Sequence, residues 1–482
     1  MAFPLALVLG GCTSGSVGIP PPLDRLYFPT GIAHVDVPGK TEGVLFVANA
    51  NFDKRYSSGS IVALPLDTLG LPGLGVPNLL PDGGPGGVKE IAALNLDASQ
   101  SVQIASFTGE LAVQPLTADS YRLYVPTRSE GMNVYRTLAT IDANGAPALS
   151  CIGEGTGQDC TATGISLSPR EVERSDAGVP RAPSPYGVSV APRSCTVPDD
   201  CCATGATDCG RSCTAGQCVG TDGQPYADLW VTHLQQADSP MLSNLNFRGY
   251  LVRLDSDAFA ANEQNFINIG SGATNSVVAT GSWVYATGRV LSPAPNLLRI
   301  VNRDGVVAST ALEAYFRVSD ARGIALSSDG KRMFIVGRAP DTLLVATITE
   351  TGGIPILTFV RGVSLPDAPN EVRVIARPGQ GDLVAVTCTS AGSVVLYDDD
   401  VGDMVALVTG VGVQPFGLAV DVRGNAARIF VSNFGDGRIA VIDVADLNRP
   451  QGARVVAQLG PQQLCLTRGA SAPGCLASEV AQ

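Results

Sequence analysis

The chain has 482 residues, 45% hydrophobic and only 16% charged, with 55 Gly and 33 Pro. This is a composition of short apolar segments joined by many turns, and it excludes a disordered chain or a coiled coil. The formal charge is −12, and Lys40, Lys54, Lys89 and Lys331 are the only lysines. No basic cluster is present that would neutralise a run of phosphates, so nucleic acid is excluded as a partner. At 100 to 200 residues per domain the length suggests about three domains, although one large β unit also fits.

The first elements are a leader and a tether. Residues 1–12 read MAFPLALVLGGC, an apolar run that stops at a cysteine preceded by Leu9, Gly10 and Gly11. It is too short for a membrane-spanning helix, which needs about 20 residues. The run resembles a bacterial lipoprotein signal, with residues 1–11 as signal peptide and Cys12 as the lipidated N-terminus. It departs from that pattern in lacking Lys or Arg before the apolar run. The resemblance implies a cell-envelope address on the outer membrane, with the membrane as a partner through the anchor. Residues 12–24 then form a tether.

A three-strand pattern follows and recurs. Residues 29–66 give PTGIAHV, VLFVAN and GSIVALPL; a Pro/Gly-rich stretch at 70–87 separates them from a second copy at 109–142 (GELAVQP, RLYVPT, NVYRTLATID). Cys151 and Cys160 come next, as a predicted disulfide, with polar sequence around 153–183. The third copy, at 185–254, gives PYGVSVAP, DLWVTH and GYLVRL. It is interrupted at 195–218 by Cys195, Cys201, Cys202, Cys209, Cys213 and Cys218. This insert has almost no apolar residues, so its cysteines are read as disulfides whose pairing stays open among 15 connectivities. Zinc is disfavoured: no His lies near, and six thiols exceed one tetrahedral site.

The later copies are more closely spaced: 275–301, 321–347, 370–398 and 414–444 (QPFGLAVDVRGNAARIFVSNFGDGRIAVIDV). The sixth contains Cys388 in the run LVAVTC, read as a buried inert thiol. Asp398, Asp399, Asp400 and Asp403 follow as a solvated hairpin turn. Residues 461–482 are a tail with a Cys465–Cys475 clip. Taking Gly31, Gly109, Gly187, Ser276, Gly323, Val372 and Gly417 as equivalent positions, the steps are 78, 78, 89, 47, 49 and 45 residues. The last three match a four-stranded propeller blade, and the longer ones carry the insertions just described.

The second strand of each copy is almost continuously apolar, where a one-sided sheet alternates, so both faces must be buried. Blades stacked around an axis meet that demand. The expected fold is therefore all-β, a seven-bladed propeller of four-stranded antiparallel blades over residues 25–460. Ring closure calls for one blade that mixes strands from both termini, with either Arg25 to Phe28 or Val455 to Leu459 as its outer strand.

The phrases LFVANANF (45–52) and IFVSNFGDGRIAVIDV (429–444) resemble the YVTN family of propeller repeats, with its P-x-G-[IVL]-A, [LI]-[YF]-V-[AST]-N and V-x-V-I-D elements. The resemblance implies a seven-bladed disc on the cell surface or in the periplasm, and no single activity.

Enzyme motifs mostly fail. Only His34 and His233 are available as imidazole bases; the first is expected at the end of an inner strand facing the channel, the second beside a loop. GVSVA around Ser189 approximates a nucleophile elbow, but no helix follows the strand. No cofactor or metal is called for. The residues just before each first strand line one mouth of a propeller channel: Thr30, Thr108, Tyr186, Asn275, Arg322, Glu371 and Phe416. Two aromatics, an opposite-charge pair and small polar groups make a ligand-site mixture. Arg322 and Glu371 as a structural ion pair is the competing account. The expected function is a lipid-anchored binding or scaffold protein, monomeric, with a protein or glycan ligand in the envelope. A channel enzyme of lactonase or quinoprotein type is the alternative.

Overall fold

Seven antiparallel blades succeed one another along the chain in the computed structural model, which describes residues 18–75, 87–129, 133–153, 157–167, 184–202, 209–234, 249–269, 272–289, 298–303, 307–310, 318 and 320–462. Cys12, Cys465 and Cys475 lie outside the described residues. Blade 1 comprises Pro29–Val35, Val44–Asn49, Gly59–Pro65 and Ser101–Ile104, paired in that order from the axis outward. The innermost strands of blades 2 to 7 are Ala112–Pro115, Pro185–Pro192, Ala273–Ala279, Asp320–Leu326, Pro369–Ile375 and Pro415–Arg423. The fold is a seven-bladed β-propeller of four-stranded antiparallel blades, blade 2 carrying a fifth strand.

The continuous apolar runs became the second strands, and Val44–Asn49, Ala227–His233 and Leu383–Cys388 are buried at every residue. Each blade offers one apolar face to each neighbour. Between blades 7 and 1, for example, Ile32, Leu45 and Val47 pack with Phe430, Ile439 and Val441. Cys388 is a free, fully buried thiol whose burial pushes its pKa up to about 12.

Ring closure departs from the expectation of a blade that mixes strands from both termini, while the outer strand is one of the two expected segments, Val455 to Leu459 within Arg454–Leu459. All four strands of blade 7 are consecutive, ending in Arg454–Leu459, and residues 25–28 join no sheet. An extra strand comes instead from the long excursion of blade 1: Lys89–Ile91 pairs in parallel with Arg454–Leu459, covering the outer edge. At the axis, Ser432 Oγ accepts a hydrogen bond from Gly417 N (2.7 Å) and donates to Thr30 O (2.8 Å). Between these layers Arg428, fully buried, bonds both Asp443 oxygens (2.7 and 2.9 Å), Glu42 (2.5 Å) and the Pro72 carbonyl (2.6 Å).

His34 belongs to this junction and does not face the channel. Side chains alternate along a strand, so His34 shares the orientation of Ile32, toward blade 7. There its ring stacks on Phe430 at 5.5 Å and its Nε2 lies 2.7 Å from the Glu42 carbonyl. His34, Asp36 and Asp421 present grouped ligand atoms, but Asp421 is paired with Arg423 and His34 with the carbonyl, so the group serves the junction. His233 is fully buried and accepts a hydrogen bond from Tyr250 N (2.9 Å).

The cysteine insert lies between the first and second strands of blade 3. Its bonds are Cys195–Cys213, Cys201–Cys218 and Cys202–Cys209, and Cys151–Cys160 clips blade 2. Arg193 and Arg211 tie it down, each over the Tyr226 ring, with Arg193 on Asp228 (3.3 Å) and Arg211 on Asp257 (2.9 Å). The aspartate turn of blade 6 is less solvated than its charge suggests. Asp398 and Asp399 are buried, held by Arg377 (2.8 Å) and Arg332 (2.5 Å), while Asp400 and Asp403 are exposed. Arginines from neighbouring strands, distant in sequence, cancel the charge that would otherwise have stayed in water.

Candidate binding site at the channel mouth

Six of the seven innermost strands open with a register shift, seen for example between Pro29 and Ile32, Pro185 and Val188, and Pro415 and Leu418. Such a bulge re-aims the side chains around it. The first apolar residue after it (Ile32, Leu111, Val188, Val277, Ile324, Val372 or Leu418) always packs in the core shared with the preceding blade. The residue just before that one forms the waist of the channel. Around the ring these are Gly31, Glu110, Gly187, Ser276, Gly323, Glu371 and Gly417.

Two of the expected mouth positions therefore shift by one. Thr108 precedes Gly109, but Glu110-Leu111-Ala112 is the counterpart of Gly31-Ile32-Ala33; in blade 6 Glu371 itself occupies the glycine position and Asn370 precedes it. A glycine-keyed alignment fails where glycine has been replaced. Thr30, Tyr186, Asn275, Arg322 and Phe416 do occupy one equivalent layer above the waist. Thr108 still meets that layer, its Oγ1 lying 2.7 Å from Thr30 Oγ1.

The waist holds two carboxyls. Glu110 bonds Ser276 Oγ through one oxygen, and its other oxygen accepts from Val188 N at 3.4 Å. Glu371 pairs with Arg373 (2.5 Å), while Arg322 pairs with Asp320 (2.7 Å). The Arg322–Glu371 pair expected as a structural account is thus not formed, since each residue has a nearer partner two positions along its own strand. Burial, with the neighbouring Glu371 charge, pushes the Glu110 carboxyl up to about 8. Burial also raises Glu371, opposed by Arg373. The space among these residues admits no water-sized sphere.

Above the waist lies an aromatic plug. Tyr186 of blade 3 meets Phe416 of blade 7 edge-on at 6.4 Å, across the channel. Phe416 continues to Phe434 (5.9 Å), which touches Phe28 (5.0 Å) and Phe52 (5.4 Å), and Phe52 touches Phe107 (5.4 Å). Phe52 is 47% exposed, although most of the cluster is partly or fully covered. Burial and the two glutamates hold the Tyr186 hydroxyl well above its usual range. Phe52, Phe107 and Phe434 lie on loops distant in sequence and outside the first-strand pattern, so sequence reasoning missed them; the aromatic after the V-[AS]-N motif, in NANF and SNF, signals Phe52 and Phe434, and no motif signals Phe107.

Two cations border the aromatics. Lys54 lies 5.4 Å above the Phe107 ring and Arg128 5.9 Å from that of Tyr186, and neither meets a carboxylate among the described residues. Arg128 Nε and Asn275 Nδ2 are buried without hydrogen-bond acceptors, and burial lowers the Arg128 pKa. Such donors are costly unless an acceptor arrives. The arrangement suits a ligand that offers apolar surface to the rings and acceptor oxygens to these donors.

No protein-family model matches this chain, and no curated protein matches it. Solved structures with a similar fold include Kuenenia stuttgartiensis hydrazine synthase, at 13% identity and TM-score 0.48 over 87% of this chain and 97% of that one. Another is the Pseudomonas aeruginosa periplasmic gluconolactonase PpgL, at 12% identity and TM-score 0.47 over 90% and 98%. Dihydro-heme d1 dehydrogenase NirN matches at 11% identity and TM-score 0.42 over 92% and 69%. At such identities no residue role passes to this chain.

Proposed function

We propose that this protein is a lipid-anchored envelope propeller that binds a protein or glycan ligand on the face bearing the channel mouth. The carrying observation is the aromatic cluster from blades 1, 2, 3 and 7, bordered by Lys54 and Arg128 with no carboxylate to pair them among the described residues. The filled waist beneath it favours capture at the surface over chemistry inside the channel. Four disulfides suit an oxidising compartment. The MAFPLALVLGGC leader supports the anchor, and the repeats read as YVTN type. The tether also supports an orientation: Ser57 N, in the mouth-side loop of blade 1, donates to Ile19 O (2.8 Å). With Cys12 as the lipidated N-terminus, the six residues to Gly18 reach at most about 20 Å, which holds the mouth face near the membrane. The cysteine insert hangs from the opposite ends of the blade 3 strands and offers a second contact surface.

Capture from envelope extract tests this reading. The intact protein should retain a partner that Phe52→Ser with Arg128→Ala loses, while deletion of residues 195–218 leaves it bound; capture indifferent to the mouth variant would refute the assignment. The raised Glu110 pKa is the one feature that favours a channel enzyme of the lactonase or quinoprotein kind. A stoichiometric metal or cofactor in the purified protein would move the assignment there.

A further inference from the structure

Beside the mouth, on the same face, an open cleft of about 400 Å³ runs between blades 1 and 2. Its walls are residues 54–58 between the second and third strands of blade 1, residues 105 and 106 at the exit of that blade, and Ser129, Asn133, Tyr135 and Thr161 of blade 2. They present Lys54, Tyr56, Ser57, Ser129, Asn133 and Tyr135 among ten lining residues, of which all but Ala105 are polar. The size is that of a small-ligand site, but the lining is unlike an apolar drug pocket: it is a field of hydroxyls with two tyrosine rings.

Part of that field is committed to the fold. Asn133 Nδ2 donates to Tyr135 Oη (3.1 Å), which donates to Thr161 O (3.2 Å), and Ser106 Oγ accepts from Asn51 (2.9 Å). These bonds fix the walls. The Tyr56, Ser57 and Ser129 hydroxyls and the Lys54 ammonium, by contrast, have no hydrogen-bond partner among the described residues, while the Tyr56 ring is braced edge-on against Tyr27 at 4.8 Å. Braced walls carrying free donors and acceptors are a preorganised polar site.

Charge narrows the ligand further. The protein carries a net −12, yet no carboxylate lines this cleft among the described residues and one ammonium does. Lys54 also lies over Phe107, so it joins the cleft to the aromatic mouth, where Arg128 stands unpaired. A molecule with many hydroxyls, ring faces for the aromatics and at least one anionic group would satisfy each of these features. We infer that the cleft between blades 1 and 2 is a subsite for an acidic oligosaccharide, continuing outward from the mouth. The inference deepens the proposed mouth reading and rests on it for the direction of the ligand.

The test uses the full chain in detergent and a panel of immobilised trisaccharides and tetrasaccharides, uronate-containing, sulfated and neutral. Binding to acidic members is expected, weakened about tenfold by Lys54→Ala, the equivalent of about 1.4 kcal/mol, and abolished by Ser129→Trp, which fills the cleft. Both variants alter side chains at the protein surface, and an unchanged melting temperature confirms their folding. Binding that Arg128→Ala removes but Ser129→Trp leaves intact would refute the cleft and preserve the mouth. Equal binding of neutral and acidic members, indifferent to Lys54→Ala, would refute the acidic assignment, and no binding to any member would refute the inference as a whole.

Discussion

The Glu110 carboxyl of blade 2 reaches past Gly187 of blade 3 to bond the Ser276 hydroxyl of blade 4. Gly187 lets the blade 4 strand that carries Ser276 come this close, since a Cβ there would lie 2.5 Å from Asn275 O and 2.6 Å from Thr232 Oγ1. Three blades are thereby joined at the waist by one side chain. Because that side chain is sealed beneath Tyr186 and Phe416, it is also the group whose protonation couples to stability.

Glu110 titrates at 4.5 when exposed and at about 8 in the fold, raised by burial and by Glu371. Below pH 4.5 both states hold the proton and nothing is lost. Between 4.5 and 8 the unfolded chain releases it while the fold keeps it, so stability falls as pH rises, by up to about 1.4 kcal/mol per pH unit. Glu110→Gln mimics the protonated acid: its amide donates to Ser276 and its oxygen accepts from Val188. The variant should match wild type near pH 4.5 and exceed it by a margin that grows with pH, to at most about 5 kcal/mol at pH 8. Denaturant midpoints across that range measure this, and parallel pH curves for the two proteins would contradict it.

Gly417→Ala should destabilise the ring at its seam. The added Cβ would meet Thr30 O at 2.2 Å and Ser432 Oγ at 3.0 Å, disturbing the Ser432 bridge between blades 7 and 1. Overpacking of this kind costs about 1–3 kcal/mol. An equal or raised melting temperature would show that the seam has slack.

Much of the fold was legible because burial on both faces writes a continuous apolar run, and seven such runs at blade-like spacing leave few architectures. The Cys-rich insert and its place between two strands were legible for the same local reason. The site was only partly so. Thr30, Tyr186, Asn275, Arg322 and Phe416 follow from strand position alone, whereas Glu110 was hidden by the adjacent Gly109, which mimics the motif one residue early. The Phe52, Phe107 and Phe434 contacts depend on loops from three blades converging, and the Lys89–Ile91 edge strand on a parallel pairing that no local pattern announces. The disulfide pairing is likewise a property of the three-dimensional path.

Arg428→Leu tests the buried closure network. Asp443 would be left with an uncompensated charge between blades 7 and 1, and Glu42 with Arg423 alone at 3.5 Å; an uncompensated buried charge typically costs about 3–5 kcal/mol. Combining the change with Glu42→Leu and Asp443→Leu should recover much of that loss, since a well-packed apolar replacement is often neutral. Chemical denaturation of both variants reads this directly. A loss below about 1 kcal/mol for Arg428→Leu would mean that the two innermost strands and the Lys89–Ile91 pairing close the ring unaided.

The cysteine insert should behave as a local unit. Its core is Cys195, Cys201 and Cys218 against Tyr226, with little apolar area beyond the sulfurs. Replacing Cys201 and Cys218 by Ser opens a crosslink between residues 17 apart, a loss of about 3 kcal/mol on a chain-entropy basis. Because the blade 3 strands keep their own core of Val188, Leu229, Val231 and Val252, that loss should fall on the insert. Trypsin is expected to cut at Arg211, which is sheltered in the intact protein by Asp257 and the Tyr226 ring, while the main melting transition moves by only a few degrees. A collapse of the main transition would instead make the insert part of the cooperative fold, with Arg193 and Arg211 carrying its loss into Asp228 and Asp257.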